Sequence, residues 1–183
     1  RKVSVTMKNY ENFCTFMREI GFDDVALLDT SKLRLLPEVR DMCAANRCGA
    51  YGKKWCCPPG CGTLEECKNR VTEYDVAVVA LTVTRLEDSF DFEGMAEGSR
   101  RHKELFQKAM AALRAKGEKF LPLGAGGCEC KTCTYPDAPC RFPEKFTVSM
   151  EAYGMMVSEV CKDCGLRYCG GNNTLTYVSM ILL

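Results

Sequence analysis

Val76-Ala77-Val78-Val79-Ala80-Leu81-Thr82-Val83-Thr84 is the stretch that decides the fold. It is a nearly continuous apolar run, rich in valine. That is the pattern of a strand covered on both faces rather than one. Working outward on the C-terminal side, Ser99 can cap a helix that runs to Lys116. Leu105, Phe106, Ala109, Met110 and Leu113 fall on its buried side, and Gly117 lies beyond its end. Phe120 to Leu123 reads as a further strand. Strand, helix and strand together predict a right-handed βαβ unit.

On the N-terminal side, Lys8 to Ile20 reads as an amphipathic helix, with Tyr10, Phe13, Cys14 and Met17 at helical spacing and Gly21 as its stop. Cys14 is a core residue on that face. Val25 to Leu28 is a short buried strand, and a turn or short helix follows around Ser31 to Leu36. From Val39 to Cys67 glycines and prolines interrupt any period, so this segment reads as an irregular loop built around cysteines. Further on, a helix is predicted from about Ser149 to Asp163, with Met150, Tyr153, Val157 and Val160 as its stripe. Glu151 in its first turn suits the helix dipole. Gly170-Gly171-Asn172-Asn173 is a turn, and Thr174 to Leu183 is a strand. The sum is one α/β (or α+β) domain over residues 1–183, with a mixed sheet and cysteine-rich metal-binding loops. No repeat, linker or low-complexity tract interrupts it.

The chain has 183 residues, enough to bury a core without staples. Lys and Arg total 25 against 24 Asp and Glu, so charge gives no case for nucleic acid or an anionic membrane. No apolar run reaches the ~18 residues of a membrane helix. No signal peptide is read. The chain begins at Arg1 rather than Met, so a leader removed upstream stays open. Fourteen cysteines are far above ordinary usage. A chain this large and apolar does not need disulfides, so thiolates serving metal or redox chemistry in a reducing cytoplasm are expected. The one histidine, His102, sits in Arg100-Arg101-His102-Lys103 and reads as an exposed helix residue. Any metal is therefore held mainly by sulfur, which favours iron–sulfur, zinc or Cu(I).

The first cysteine group is Cys43-x4-Cys48-x7-Cys56-Cys57-Pro58-Pro59-Gly60-Cys61-x5-Cys67. Short glycine-rich loops let thiolates converge and leave N–H groups free to approach a cluster. Arg47, Lys53 and Lys54 could offset its negative charge, and Trp55 could shield it from water. Adjacent side chains rarely reach one metal, so Cys57, beside the prolines, is the expected ligand and Cys56 is core or serves a second centre. The second group is Cys128-Glu129-Cys130-x2-Cys133-x6-Cys140. Its Cys-x2-Cys pair is the spacing of a metal knuckle. Cys130, Cys133 and Cys140 are expected ligands, with Cys128 as the fourth and Cys67 as its possible replacement. Cys161 and Cys164, three apart at a helix end, fit packing; the sharper alternative pairs them with Cys130 and Cys133 around zinc. Cys169 is equally open. Gly124-Ala125-Gly126-Gly127 lacks the third glycine and the following helix of a dinucleotide loop. Glu65-Glu66 reads as a solvated face. No nucleophile elbow or P-loop is present.

Three stretches resemble a known family. They are Tyr51-Gly52-Lys53-Lys54-Trp55-Cys56-Cys57-Pro58-Pro59-Gly60-Cys61-Gly62-Thr63-Leu64-Glu65-Glu66-Cys67; Cys133-Thr134-Tyr135-Pro136-Asp137-Ala138-Pro139-Cys140-Arg141-Phe142-Pro143-Glu144-Lys145 with Ser149-Met150-Glu151-Ala152-Tyr153-Gly154; and Asn173-Thr174-Leu175-Thr176-Tyr177. They are similar to the signatures of the predicted metal-binding proteins called domain of unknown function 2284. The resemblance covers the chain from about Val39 onward. It implies metal binding at Cys43, Cys48, Cys57, Cys61, Cys67, Cys130, Cys133 and Cys140, in a family chiefly of anaerobic bacteria and archaea. Cys56, Cys164, Cys169 and the Cys128-x-Cys130 spacing depart from the family's usual pattern.

The leading expectation is a protein with one or two [4Fe-4S] clusters that passes electrons to a redox partner protein. The first alternative is an enzyme whose cluster keeps an open iron held by three cysteines. The second is a zinc-stapled interaction or regulatory module. A disulfide-rich extracellular domain comes last. Oligomeric state, substrate and partner are not written in the sequence.

Overall fold

The computed structural model describes residues 10–128 and 130–183. The predicted first helix is present as α1 (Glu11–Ile20); its expected start at Lys8 lies outside the described residues. The elements then run β1 (Asp24–Asp29), α2 (Pro37–Ala44), α3 (Leu64–Val71), β2 (Val76–Arg85), α4 (Phe92–Ala115), β3 (Leu121–Gly124), β4 (Val148–Ser149), α5 (Val157–Cys164) and β5 (Thr174–Leu182). The fold is α+β, with a mixed sheet ordered β1-β2-β5-β3-β4. β5 is antiparallel to both β2 and β3, and β3 pairs parallel with β4. β2 and β3 therefore run parallel to each other, but β5 is inserted between them. The predicted βαβ unit is split.

β2 is covered on both faces, as its sequence predicts. Val78, Ala80 and Ile181 pack beneath α1 and α4, against Phe13, Met17, Leu105, Phe106 and Met110. Ala77, Val79, Leu81, Met180 and Leu182 face the other way. They pack under a layer made of Cys56, Cys61, Cys67, Tyr153, Met155, Val160 and Cys161. Fully burying one Val, Leu or Met side chain is worth about 1.5–3 kcal/mol. The helical face thus carries an apolar core of its own, with only Cys14 among its thiols. The opposite face is where sulfur replaces hydrocarbon.

Four local expectations need correction. Val39 to Cys67 is not irregular throughout. Pro37 opens α2 at its first turn, where a missing N–H does no harm. Thr63 and Glu66 form a capping box that starts α3; Glu66 lies on a solvated face, as expected, and also caps the helix. Cys43 and Cys67 consequently sit on helices. α4 starts at Phe92, not Ser99, because the Asp91 carboxylate accepts from Gly94 N at 2.8 Å.

The expected helix from Ser149 to Asp163 is broken into β4, a single 3-10 turn (Glu151–Tyr153) and α5. Gly154 breaks it at φ +87°, and a Cβ there would meet Leu64 Cδ1 at 2.8 Å.

His102 is not exposed. It is 0 % accessible, with its ring edge-on to Phe22. Nδ1 lies 2.8 Å from Thr82 Oγ1 and Nε2 2.7 Å from Ser179 Oγ. It extends the buried stripe of Leu105, Phe106 and Ala109 by one turn. The charged neighbours misdirect the reading: Arg101 turns outward to Asp23.

Candidate metal centre

α2 presents Arg40 and Cys43 to the cysteine layer. The Arg40 guanidinium donates from Nη1 to Ala152 O and from Nη2 to Gly62 O, both at 2.7 Å. The same Nη1 stands 3.6 Å from Cys67 Sγ and 3.9 Å from Cys61 Sγ. One cation thus ties the end of the Cys-Pro-Pro loop, α3 and the turn at Ala152 together around two sulfurs. Arg70 adds a second: its Nη1 donates to Cys61 O at 2.6 Å and to Tyr153 Oη at 3.1 Å. Cys61 Sγ donates to Ala152 O at 3.7 Å and Cys43 Sγ to Glu151 O at 3.9 Å.

The thiols of the first group share one electrostatic neighbourhood. Cys43 is affected by Cys48, Cys57 by both Cys48 and Cys43, and Cys61 by Cys57 and Cys67. Burial, ahead of other causes, pushes the Cys43 and Cys57 thiols up. Cys61 and Cys67 act as a pair. Their mutual hydrogen bond pulls Cys67 below the ordinary thiol range, with Arg40 and Arg70 assisting, and pushes Cys61 up. A thiolate is the form that ligates metal and attacks electrophiles.

The second group packs directly on the first. Trp55 N donates to Cys133 Sγ at 3.5 Å, and Trp55 Nε1 donates to Ala138 O at 2.9 Å. The Trp55 and Tyr135 rings meet edge to face at 4.8 Å. Cys56 lies in the seam, 3.9 Å from Cys57 Sγ and hydrogen-bonded to Cys128. That bond lowers Cys56 and, with burial, raises Cys128. Cys128 Sγ also donates to Thr147 O at 3.4 Å. A Cβ on Gly127 would meet Cys56 Sγ at 2.7 Å, so the close approach of the two loops requires glycine there. Cys128, Cys130 and Cys140 line a cavity of about 700 Å³, and Cys140 reaches a further one beside Trp55.

Residues 26–183 match the sequence profile described as predicted metal-binding protein (DUF2284). The chain belongs to this family. No curated protein and no solved structure matches it significantly. The family match takes in every cysteine except Cys14, which is buried between α1 and the sheet, its thiol pushed up to about 11 by burial.

The donor chemistry fits the metal that the family description implies. All fourteen cysteines are free thiols. The one imidazole has both nitrogens engaged by hydroxyls, which leaves the thiols as the available soft donors. Among the described residues, no three Cys, His, Asp or Glu side chains stand at the spacing of a single-ion site. Four thiolates around zinc need sulfurs about 3.8 Å apart. Of the alternative zinc set, Cys130 lines the cavity and Cys133 meets Trp55 N, while Cys161 and Cys164 belong to the core layer. Cys161 is fully buried in the core, its thiol pushed up to about 12, and Cys164 Sγ bonds back to Cys161 O at 3.4 Å. Cys48 and Cys169 are exposed.

Sequence reading passed over Arg40, Arg70 and the seam position of Cys56. Arg47 and Lys53, the expected cations, are exposed instead, while Lys54 does act on Cys57. The signal for Arg40 was Pro37: with a helix begun there, Arg40 falls one turn before Cys43, on the same face.

Proposed function

We propose that this family member holds one or two [4Fe-4S] clusters and passes electrons to a partner protein. The observation that carries the reading is the Arg40 guanidinium set among Cys43, Cys61 and Cys67, in a layer with no available imidazole. Cys43, Cys48, Cys57 and Cys61 would hold the first cluster, with Cys67 beside them. Cys128, Cys130, Cys133 and Cys140 would hold the second. When bound, such a cluster supplies one-electron redox chemistry. The chain's own residues prepare for it. Arg40 and Arg70 offset the charge of the thiolates and favour their deprotonated form. The Trp55 N–H directed at Cys133 Sγ draws electron density from that sulfur and would raise the potential of a cluster held there.

The test is iron and sulfide analysis with electron paramagnetic resonance on anaerobically purified, reduced protein. Iron, acid-labile sulfide and a reversible signal support the proposal. A colourless protein with stoichiometric zinc sinks it and leaves the interaction module.

A second reading, an enzyme with an open iron, is favoured by one feature. Cys128, Cys130 and Cys140 face a cavity while Cys133 turns to Trp55. It requires that a small molecule change the resonance signal of the cluster in that group. An unchanged signal across candidate ligands rejects it.

A further inference from the structure

The cavity beside the second cysteine group has a chemical character that the thiols do not explain. Its volume, about 700 Å³, is that of a small-molecule site. Phe106 and Phe142 give it apolar walls, from α4 and from the extended loop. Lys108 and Lys145 stand at its rim from those same two segments. Both are exposed, and neither forms an ion pair among the described residues. The nearby Arg100 and Glu104 satisfy each other at 3.1 Å. On the floor is the glycine turn that sequence reading set aside. Gly126 lies at φ +79°, and Ala125 N is anchored on Ser179 Oγ at 3.0 Å. The next two amides, of Gly126 and Gly127, donate to no acceptor among the described residues. Successive N–H groups in such a turn can form an anion-binding concavity.

We propose that this cavity binds a small organic anion, a carboxylate or phosphate ester with an apolar body. The Gly126 and Gly127 amides and the two lysines take the charged head, and the two phenylalanines take the body. The site stands on the polypeptide's own groups and does not depend on which metal the thiols hold. Bound there, the anion lies beside Cys128, Cys130 and Cys140.

The test is calorimetric titration of the anaerobically purified full chain with phenyl phosphate and with benzoate. Benzyl alcohol and inorganic phosphate serve as controls, and iron is assayed on the same sample. Saturable binding of at least one aromatic anion is expected, tighter than inorganic phosphate, with none for the alcohol. The preferred arm identifies the head group. The double variant Lys108→Glu/Lys145→Glu changes exposed side chains only and so keeps the fold, which circular dichroism verifies. Losing one charge-assisted hydrogen bond weakens binding on the order of tenfold, so the variant falls by at least that much. No saturable binding of either aromatic anion, equal binding by the variant, or equal binding of inorganic phosphate overturns the proposal. Iron without anion binding removes this site alone; anion binding without iron removes only the cluster.

Discussion

Acidification should destabilise this protein through His102, by an amount its surroundings define. The imidazole is sealed between β2 and β5 on one side and α4 on the other, held by Thr82 and Ser179. Its pKa is lowered to about 3, first by burial and then by Lys103 and Arg101. The unfolded chain takes up the proton near pH 6.5. Below that pH the unfolded state binds more protons than the folded one, so stability falls as pH falls. The contribution is whole above pH 6.5 and is lost progressively toward pH 3. The loss between pH 7 and pH 5 is about 2 kcal/mol, and by pH 4 about 3 kcal/mol. For a chain of this size, the first figure is about 4–8 °C in melting temperature.

Other groups titrate in the same range, so the informative quantity is a difference. His102→Gln can keep a hydrogen bond but cannot titrate. Urea unfolding of the wild type and the variant at pH 7 and pH 5 should show the gap between them change by about 2 kcal/mol. Because the chain has one histidine, a single imidazole resonance reports the pKa directly. Parallel stability curves for the two proteins, or a resonance titrating near 6.5, would refute the argument. The coupling extends to the site. Ser179 Oγ bonds both His102 Nε2 and Ala125 N, so charging the ring disturbs the support of the glycine turn before Cys128.

Two further outcomes follow from the cysteine layer. Arg40→Leu leaves Ala152 O and Gly62 O without their shared donor and should lower stability by about 1–3 kcal/mol. It should also reduce metal retention at the first group; unchanged metal content against a chelator would show that the cation is not part of the centre. Cys161→Ala deletes a thiol buried in the core, and should lower stability by about 1–2 kcal/mol with metal content unaltered. Metal loss in that variant, measured by elemental analysis, would return Cys161 to the ligand set.

Period and composition were enough to reveal the strand at 76–84, the strand after Thr174 and the apolar stripe from Leu105 to Leu113. Each is a local pattern imposed by burial on one or two faces. The thiol-rich, imidazole-poor donor chemistry was equally legible, because it depends on residue types alone. The family resemblance from Val39 onward agrees with the match over residues 26–183.

Other features were hidden for a physical reason. β5 enters between β2 and β3 because long-range pairing satisfies their backbone groups, and no local pattern records which strand does so. His102 is buried because α4 crosses the sheet at that turn, although its sequence neighbours are charged. Cys56 was separated from Cys128 by the length of the split unit. Only the folding of both loops onto one face of the sheet brings the two sulfurs together, and places Trp55 N–H on Cys133. The sequence by itself determined that the donors on offer are chiefly thiols. The tertiary structure decided which sulfurs share a neighbourhood and which cation stands among them, because proximity between residues far apart in the chain is a property of packing, not of spacing.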